Sequence, residues 1–433
     1  MNLTKFYFVS LFTVLLLETV CAASGFIEVR NERFYIGDKP YYFVGANYWY
    51  GSLIGLEKDP KRGIRRLRSE LDFLKANGVS NLRVLGGAEG EGLINNVNRV
   101  GPSLQPRQGK FDIDVLRGLD ILLDEMSKRD MKAVIFFSNN WEWSGGFQQY
   151  LIWNGVESAG FLTKKPTWDE YRDNVSRFYA CSPCKNAYKS QVKLIMMRKN
   201  SVNGRAYIDD PTVMAWELAN EPRPMRPAAN DSYKQWISDT AAFIKSMDKK
   251  HLVTIGHEGS IGSESIGIFK EIHADANVDY LTIHIWPRNW GWYERPNIAD
   301  GFPAVLDKTE KYIGEHIAAA KDLRKPLVIE EFGFPRDGES FAVTAPTHFR
   351  DKYFETVLSY LPGGVNDEGA VVGINFWAFA GRARPVRDQL FWKKGDEYTG
   401  DPPMEEQGLY SVFDSDKTTW KILKSSSAST KNR

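Results

Sequence analysis

The sequence predicts an α/β protein folded as a single (β/α)8 TIM barrel with long βα loops. Three observations carry that reading. Eight short, near-continuous apolar runs recur along the chain, each bounded by Gly, Asn or Pro, as strands covered on both faces require. Longer amphipathic segments alternate with them. No Gly/Ser linker, Pro-rich hinge or charge run divides residues 25 to 424.

In chain order, residues 1–23 stand apart. An apolar run from Phe6 to Leu17 follows Lys5 and is too short to span a bilayer; Ala22, Ala23 and Ser24 then supply small residues after Val20. This is expected to be a secretory signal, making the protein extracellular, or periplasmic in a Gram-negative host. An uncleaved anchor is the alternative, and Glu18 and Val20 fit poorly before a lipoprotein Cys21. Residues 24–424 are expected to form one domain and residues 425–433 a disordered polar tail.

The strand candidates are Tyr42 to Tyr48, Val79 to Leu85, Lys132 to Asn139, Val213 to Asn220, Val253 to His257, Tyr280 to Trp286, Pro326 to Phe332 and Val371 to Phe379. Helical segments lie between them. Ile64 to Ala76 carries apolar residues at Ile64, Leu67, Leu71 and Leu74 and stops at Asn77-Gly78. Val115 to Arg129, Tyr233 to Met247, Ala304 to Leu323 and Phe349 to Leu361 follow. The largest insertions are Trp141 to Pro211 and the stretch after the eighth strand. The rival, a doubly wound open sheet, calls for a Gly-rich phosphate loop where the first strand here ends in Asn47-Tyr48-Trp49.

Composition bounds the function. Of 433 residues, 42% are hydrophobic and 26% charged, which excludes a disordered, collagen-like or coiled-coil chain. Lys and Arg number 56 against 55 Asp and Glu, so a net charge of +1 gives no bulk reason to bind nucleic acid or a membrane. Aromatics reach 13%, with 13 Trp, which suits stacking on flat apolar faces as well as a core. Cys181 and Cys184 form C-S-P-C; after export a local disulfide is expected, with free thiols or redox chemistry as alternatives. Asn174 and Asn230 lie in glycosylation sequons, meaningful only in a eukaryotic host.

In a barrel of this kind, catalytic residues sit at the C-terminal ends of strands. Those ends carry Arg83, Asn139-Asn140, Asn220-Glu221, His257-Glu258, His284, Glu330-Glu331 and Trp377. Glu221 ends the fourth strand and Glu331 the seventh, so two carboxylates reach one mouth from different sides. That pair is the machinery of glycoside hydrolysis, one acid donating a proton while the other attacks or activates water. Ordinary ion pairing is the plain alternative, yet an acid directly after a buried strand is costly without a role. Glu217 lies inside the fourth strand, and alternation turns Glu330 opposite to Glu331, so both are expected to be structural. No His-Glu-x-x-His, P-loop, Gly-x-Ser-x-Gly or Cys/His cluster appears, and six scattered His argue against a catalytic metal.

Over residues 26 to 424 the chain resembles glycoside hydrolases of clan A, family 5, and within it the endo-β-1,4-mannanases. The markers are Leu82-Arg83, Trp216-Glu217-Leu218-Ala219-Asn220-Glu221-Pro222-Arg223, Gly256-His257-Glu258-Gly259, His284-Ile285-Trp286-Pro287 and Glu331-Phe332-Gly333. The resemblance implies a retaining double displacement with Glu221 as acid/base and Glu331 as nucleophile. It implies that Asn220 holds the 2-hydroxyl, Arg83 braces the nucleophile, His284 lies beside it and Trp377 forms the sugar platform. Arg223 and Glu258 match positions that meet sugars on the leaving-group side, and Asn139 and Trp141 join the expected substrate contacts. Many members carry Tyr where this chain has Trp286, which puts the usual phenol-to-nucleophile hydrogen bond in doubt. The implied partner is β-mannan, with no cofactor, no metal and no indicated protein partner.

Physical chemistry adds two expectations. The Glu331 charge should keep Glu221 protonated by like-charge repulsion, and the Arg83 guanidinium should stabilise the nucleophile's negative charge. Trp141, Trp143, Trp153, Trp286, Trp290 and Trp292 are expected in or beside the rim loops. Two other functions stay open: an endo-β-1,4-glucanase with the same machinery, and a catalytically silent carbohydrate-binding barrel. The latter would have no need of both acids.

Overall fold

A computed structural model describes residues 25–56, 59–294 and 298–430. The proposed signal, residues 1–23, lies outside them. Eight parallel strands form one sheet: β1 (Phe43–Asn47), β2 (Val79–Leu85), β3 (Lys132–Phe136), β4 (Val213–Glu217), β5 (Leu252–Thr254), β6 (Leu281–Ile285), β7 (Leu327–Phe332) and β8 (Val371–Phe376). Their order, β5-β4-β3-β2-β1-β8-β7-β6, leaves one seam, between β5 and β6. The seam is bridged by Asp279 N donating to Val253 O at 2.8 Å and His284 N donating to Glu258 O at 3.0 Å. Every strand residue except Ser80 is buried, which is why the strands read as continuous apolar runs.

The expected helices form with slightly shifted ends. The first spans Pro60–Ala76: proline fits its first position, and Asp59 Oδ1 accepts from Lys61 N and Arg62 N at 3.0 and 3.2 Å. Ile113–Ser127, Asn230–Met247, Ile298–Leu323 and His348–Leu358 complete that set. The insertion after β3 holds three more helices, Gly146–Trp153, Trp168–Val175 and Ser182–Met196, and β5 is followed by the short Ile266–His273. The sequence also hid a three-stranded antiparallel sheet, Ile27–Arg30, Arg33–Ile36 and Lys39–Pro40. Its Ile27 and Phe34 pack beneath the barrel against Phe43, Val134, Met214, Leu252, Val328 and Val372.

The expected polar tail needs correction. Lys417–Thr430 is one helix, so residues 425–430 are ordered structure. Leu423, Ser427 and Thr430 are buried on one face, and Ser427 Oγ donates to Gly78 O at 2.7 Å. Cys181 and Cys184 are joined as a disulfide at the start of the Ser182–Met196 helix. Asn174 is buried at 3% exposure, unlike Asn230, which opens a helix at the surface. Among the described residues no helix is long and apolar enough to cross a membrane.

Candidate active site

The C-terminal mouth of the barrel gathers the residues singled out in the sequence. Arg83 on β2 is fully buried and is held by two carboxylates and two amides. Its Nε and Nη2 donate to Glu217 Oε2 and Oε1 at 2.8 and 2.6 Å, and its Nη1 donates to Glu331 Oε1. Nη1 also reaches Asn47 Oδ1 at 3.0 Å, and Nη2 reaches Asn220 Oδ1 at 2.7 Å. Glu217 is therefore structural, as expected: it is the clamp for Arg83.

Glu221 follows β4 with a backbone φ of 51°, a left-handed conformation that a non-glycine residue rarely adopts. Glu221 N donates to Gly256 O at 2.9 Å, fixing that turn and aiming the carboxyl into the mouth. Three N–H donors meet the carboxylate. His284 Nδ1 lies 2.7 Å from Oε1, Trp286 Nε1 donates to Oε1 at 3.2 Å, and Trp141 Nε1 donates to Oε2. His284 Nδ1 is also 3.2 Å from Glu331 Oε2. Donor atoms of Glu221, His284 and Glu331 lie within 4.8 Å of one another. They are the only such group among the described residues whose donors could close on a cation, and Arg83 and the His284 proton already supply positive charge there.

One expectation changes here. Glu221 is not held protonated in the free site. Burial opposes its charge, but the His284 proton, Arg223 and the Trp141 indole outweigh burial and bring it down to about 2. His284 is held well above the usual imidazole range: burial works against its charge, and Glu331, Glu221 and Glu330 override burial. Both shifts run in the direction that favours the proton on His284 over Glu221. The Trp286 indole, standing where many relatives have Tyr, donates to Glu221 and not to the Glu331 carboxylate.

Asn139, expected among the substrate contacts, is not among the residues lining the cavity above the acids. It is buried beneath Asn220, whose Nδ2 donates to Asn139 Oδ1 at 3.0 Å, while Asn139 Nδ2 donates to Ser144 Oγ at 3.1 Å. With both amide ends engaged, it orients Asn220. Glu330 also departs from expectation. Ile283 pairs with Ile329 but His284 pairs with Glu331, so Glu330 is the extra residue of a β-bulge on β7. Its freed carbonyl accepts from Asn47 Nδ2 at 2.9 Å, and its carboxylate turns inward beside Arg83 and His284.

Above these groups lies a cavity of about 380 Å³. Asn220, Glu221, Arg223, Glu258, Glu331 and Trp377 line it, as do Trp141, Trp143, Trp286 and Trp290. Trp153 and Trp292 do not; they pack on Tyr150 and Tyr312. Arg223 is paired with both oxygens of Glu258 and sits 5.2 Å over the Trp141 ring. Burial pushes Glu258 up to about 7, although Arg223 opposes it.

Four lining residues escaped the sequence reading: Trp168, Asn289, Glu405 and Tyr410. Trp168 stacks on Trp141 with ring centroids 6.1 Å apart. Tyr410 OH donates to Asn289 Oδ1 at 2.6 Å. Burial, then Asp401, Glu331 and Glu221, push Glu405 at the cavity wall well above the usual carboxyl range. Glu405 and Tyr410 belong to the segment between β8 and the last helix, which is tied across the mouth. Trp49 Nε1 donates to Gly400 O at 2.7 Å, Tyr398 OH donates to Gly101 O, and Arg288 Nη2 donates to Glu406 Oε2 at 2.8 Å.

Chemically, this is a pocket with two facing carboxylates, Glu221 and Glu331, a buried guanidinium on one of them and indole walls. Residues 24–433 match the family model described as GH family 5 beta-mannosidase-like. The chain is 29% identical over 377 residues to mannan endo-1,4-beta-mannosidase 1 of Oryza sativa subsp. japonica, covering 83% of this chain and 79% of that one. The solved glycoside hydrolase family 5 mannosidase from Rhizomucor miehei superposes with a TM-score of 0.84 at 32% identity, covering 95% of this chain and 99% of that chain. A variant of that enzyme, crystallised in complex with mannosyl-fructose, gives the same TM-score at 31% identity, with 95% and 98% covered.

Proposed function

Because this chain belongs to the glycoside hydrolase family 5 β-mannosidase-like family, we propose that it hydrolyses β-1,4-mannosidic bonds with retention of anomeric configuration. The observation that carries the proposal is the separation of the two acids. Oxygens of Glu221 and Glu331 lie within 4.8 Å of each other, short of the ~6.5–9.5 Å of inverting pairs and in keeping with the ~5–5.5 Å of retaining ones. In the first step Glu331 forms a bond to the anomeric carbon as the glycosidic C–O bond breaks. The departing oxygen takes a proton from Glu221, which Glu221 receives from His284 Nδ1 along their 2.7 Å contact. In the second step water attacks the glycosyl-enzyme, its proton returns to Glu221 and then to His284, and Glu331 is released. Asn220, oriented by Asn139 and Arg83, is suited to hold the 2-hydroxyl while that carbon flattens.

The position of attack along a chain has two readings. The plant relative is named for internal cleavage of mannan, as the sequence resemblance implied. The segment tied over the mouth through Trp49, Tyr398 and Arg288 supports release of terminal mannose, because a through-going polymer would meet that wall. The wall makes chain-end attack the better-supported reading. The proposed export of the protein rests on residues 1–23 alone.

Reducing-end-labelled mannohexaose tests both levels. Chain-end attack gives mannose and labelled mannopentaose first, whereas internal attack gives labelled short oligomers first. Proton NMR of the same early reaction should show β-mannose before mutarotation; an initial α-product would overturn retention. Carboxymethylcellulose in parallel tests the glucanase alternative, which predicts comparable release.

A further inference from the structure

Glu330 occupies an unusual position for a carboxylate. It is 1% exposed, and neither of its oxygens has a hydrogen-bond partner. Its Oε2 lies 3.6 Å from His284 Nε2, which is also buried and also without a hydrogen-bond partner. The same oxygen is 3.7 Å from Arg83 Nε, but that nitrogen already donates to Glu217. A buried acceptor and a buried ring nitrogen, each otherwise unsatisfied, gain most from each other, and closing a few tenths of an ångström makes the bond. On its other edge the imidazole meets Glu221 at 2.7 Å and Glu331 at 3.2 Å. The ring thus lies between the acid/base and a carboxylate that the β7 bulge delivers behind it.

We propose that Glu330 is a positioning residue for acid catalysis, acting through His284: it holds the imidazole with Nε2–H toward itself and Nδ1–H toward Glu221. This rests on the roles given above to Glu221 and Glu331. Glu330 acts through the ring and is not among the residues lining the cavity. Its charge stabilises the imidazolium that stores the proton for the leaving oxygen, and its acceptor fixes which way the ring faces.

Other charges act on the same ring and bound the effect. Besides Glu221, Glu330 and Glu331, His284 feels Glu217 on β4, and Glu258 and His257 after β5. Glu330 itself faces Arg83, Glu217 and Tyr280. Glu330 is the carboxylate that pairs with the Nε2 edge, at 3.6 Å, so it is the group whose replacement should alter the His284 proton most directly.

The test is the pH profile of kcat/KM for Glu330→Gln against the parent enzyme. The substrates are a manno-oligosaccharide and an aryl β-mannoside whose leaving group needs no proton. An amide keeps an acceptor for Nε2–H but removes the charge. The alkaline limb on the oligosaccharide should therefore move down by roughly 1–3 pH units, with a much smaller change on the aryl mannoside. An unchanged limb, with activity lost in proportion on both substrates, would show a merely structural Glu330 and overturn the proposal. If Glu330→Gln does not fold, Glu330→Asp keeps the charge and must put the limb at or between those positions; a limb above the parent's overturns it as well. Failure of the parent enzyme to cleave either mannoside would instead refute the function proposed above.

Discussion

Nε and Nη2 of Arg83 donate to different oxygens of Glu217, so the guanidinium that meets Glu331 is itself clamped by a second buried carboxylate. Removing Arg83 leaves Glu217 buried without its ion-pair partner and Glu331 with His284 alone. Arg83→Ala should cost about 3–5 kcal/mol of stability, the range for breaking a buried pair from one side. Arg83→Lys should recover only part, because an ammonium cannot make the forked contact. Urea unfolding checks this alongside kcat/KM. Full stability in either variant would mean that the clamp does not support the fold.

Trp286 yields a second prediction because its indole reaches Glu221. Trp286→Phe keeps a ring against Trp377 and Tyr410 but removes the N–H. Losing a donor to the carboxylate raises the proton affinity of the Glu221–His284 pair. The alkaline limb of kcat/KM should move up, by about one pH unit or less, with little change in KM. Trp286→Ala should add a rise in KM from the lost wall. If Phe raises KM and leaves the limb in place, the indole N–H does not act on Glu221.

The two acids should divide by azide rescue. Glu331→Ala should abolish turnover, and with azide it should yield α-mannosyl azide. Glu221→Ala should retain some turnover on aryl mannosides with good leaving groups and yield the β-azide. NMR of the products checks the assignment, and the reverse pattern would swap the two roles.

What the sequence revealed and what it hid follow one physical divide. Arg83, Asn220, Glu221, His284, Glu331 and Trp377 sit at strand ends, where barrel geometry alone brings them together. Glu330 was misread because period-two alternation cannot register a bulge, and the bulge is a product of pairing with β6. Asn289, Glu405 and Tyr410 come from loops whose path is set by distant anchors such as Trp49 and Arg288, which no local period encodes. Residues 425–430 are different. Leu423, Ser427 and Thr430 repeat at helical spacing, a signal present in the sequence but masked by the polarity of the run.

That terminal helix makes a stability prediction. Gly78 has φ of 87°, and a Cβ there would lie 2.7 Å from both Cβ and Oγ of Ser427. Gly78→Ala combines backbone strain with a clash and should cost more than about 1 kcal/mol. Ser427→Ala removes the hydrogen bond to Gly78 O and leaves that carbonyl short of a partner, costing about 1 kcal/mol. Thermal unfolding of both checks the packing, and two unchanged midpoints would mean that the last helix contributes nothing at this contact.

The last prediction concerns Glu89, which lies outside the cavity but under its wall. Its carboxyl is fully buried and accepts from Ser138 Oγ, Gly146 N, Tyr150 OH and Gln191 Nε2 at 2.8, 3.1, 3.2 and 2.9 Å. Burial outweighs those four donors and pushes it from 4.5 up to about 7. A carboxyl raised in the folded state contributes stability that is complete below its unfolded value. That contribution is lost as pH climbs through about 7 and does not change further above it. The loss is about 3 kcal/mol for a shift of this size. Glu89→Gln stays neutral throughout and, like the protonated acid, presents a donating end and an accepting end. Unfolding free energies at pH 5 and pH 8 should therefore differ less in the variant than in the parent, by about 3 kcal/mol. Glu217 and Glu258, pushed up to about 8 and about 7, are present in both proteins and cancel in the comparison. Equal pH dependence in the two proteins would mean that Glu89 is already ionised at pH 5, with its four donors outweighing its burial.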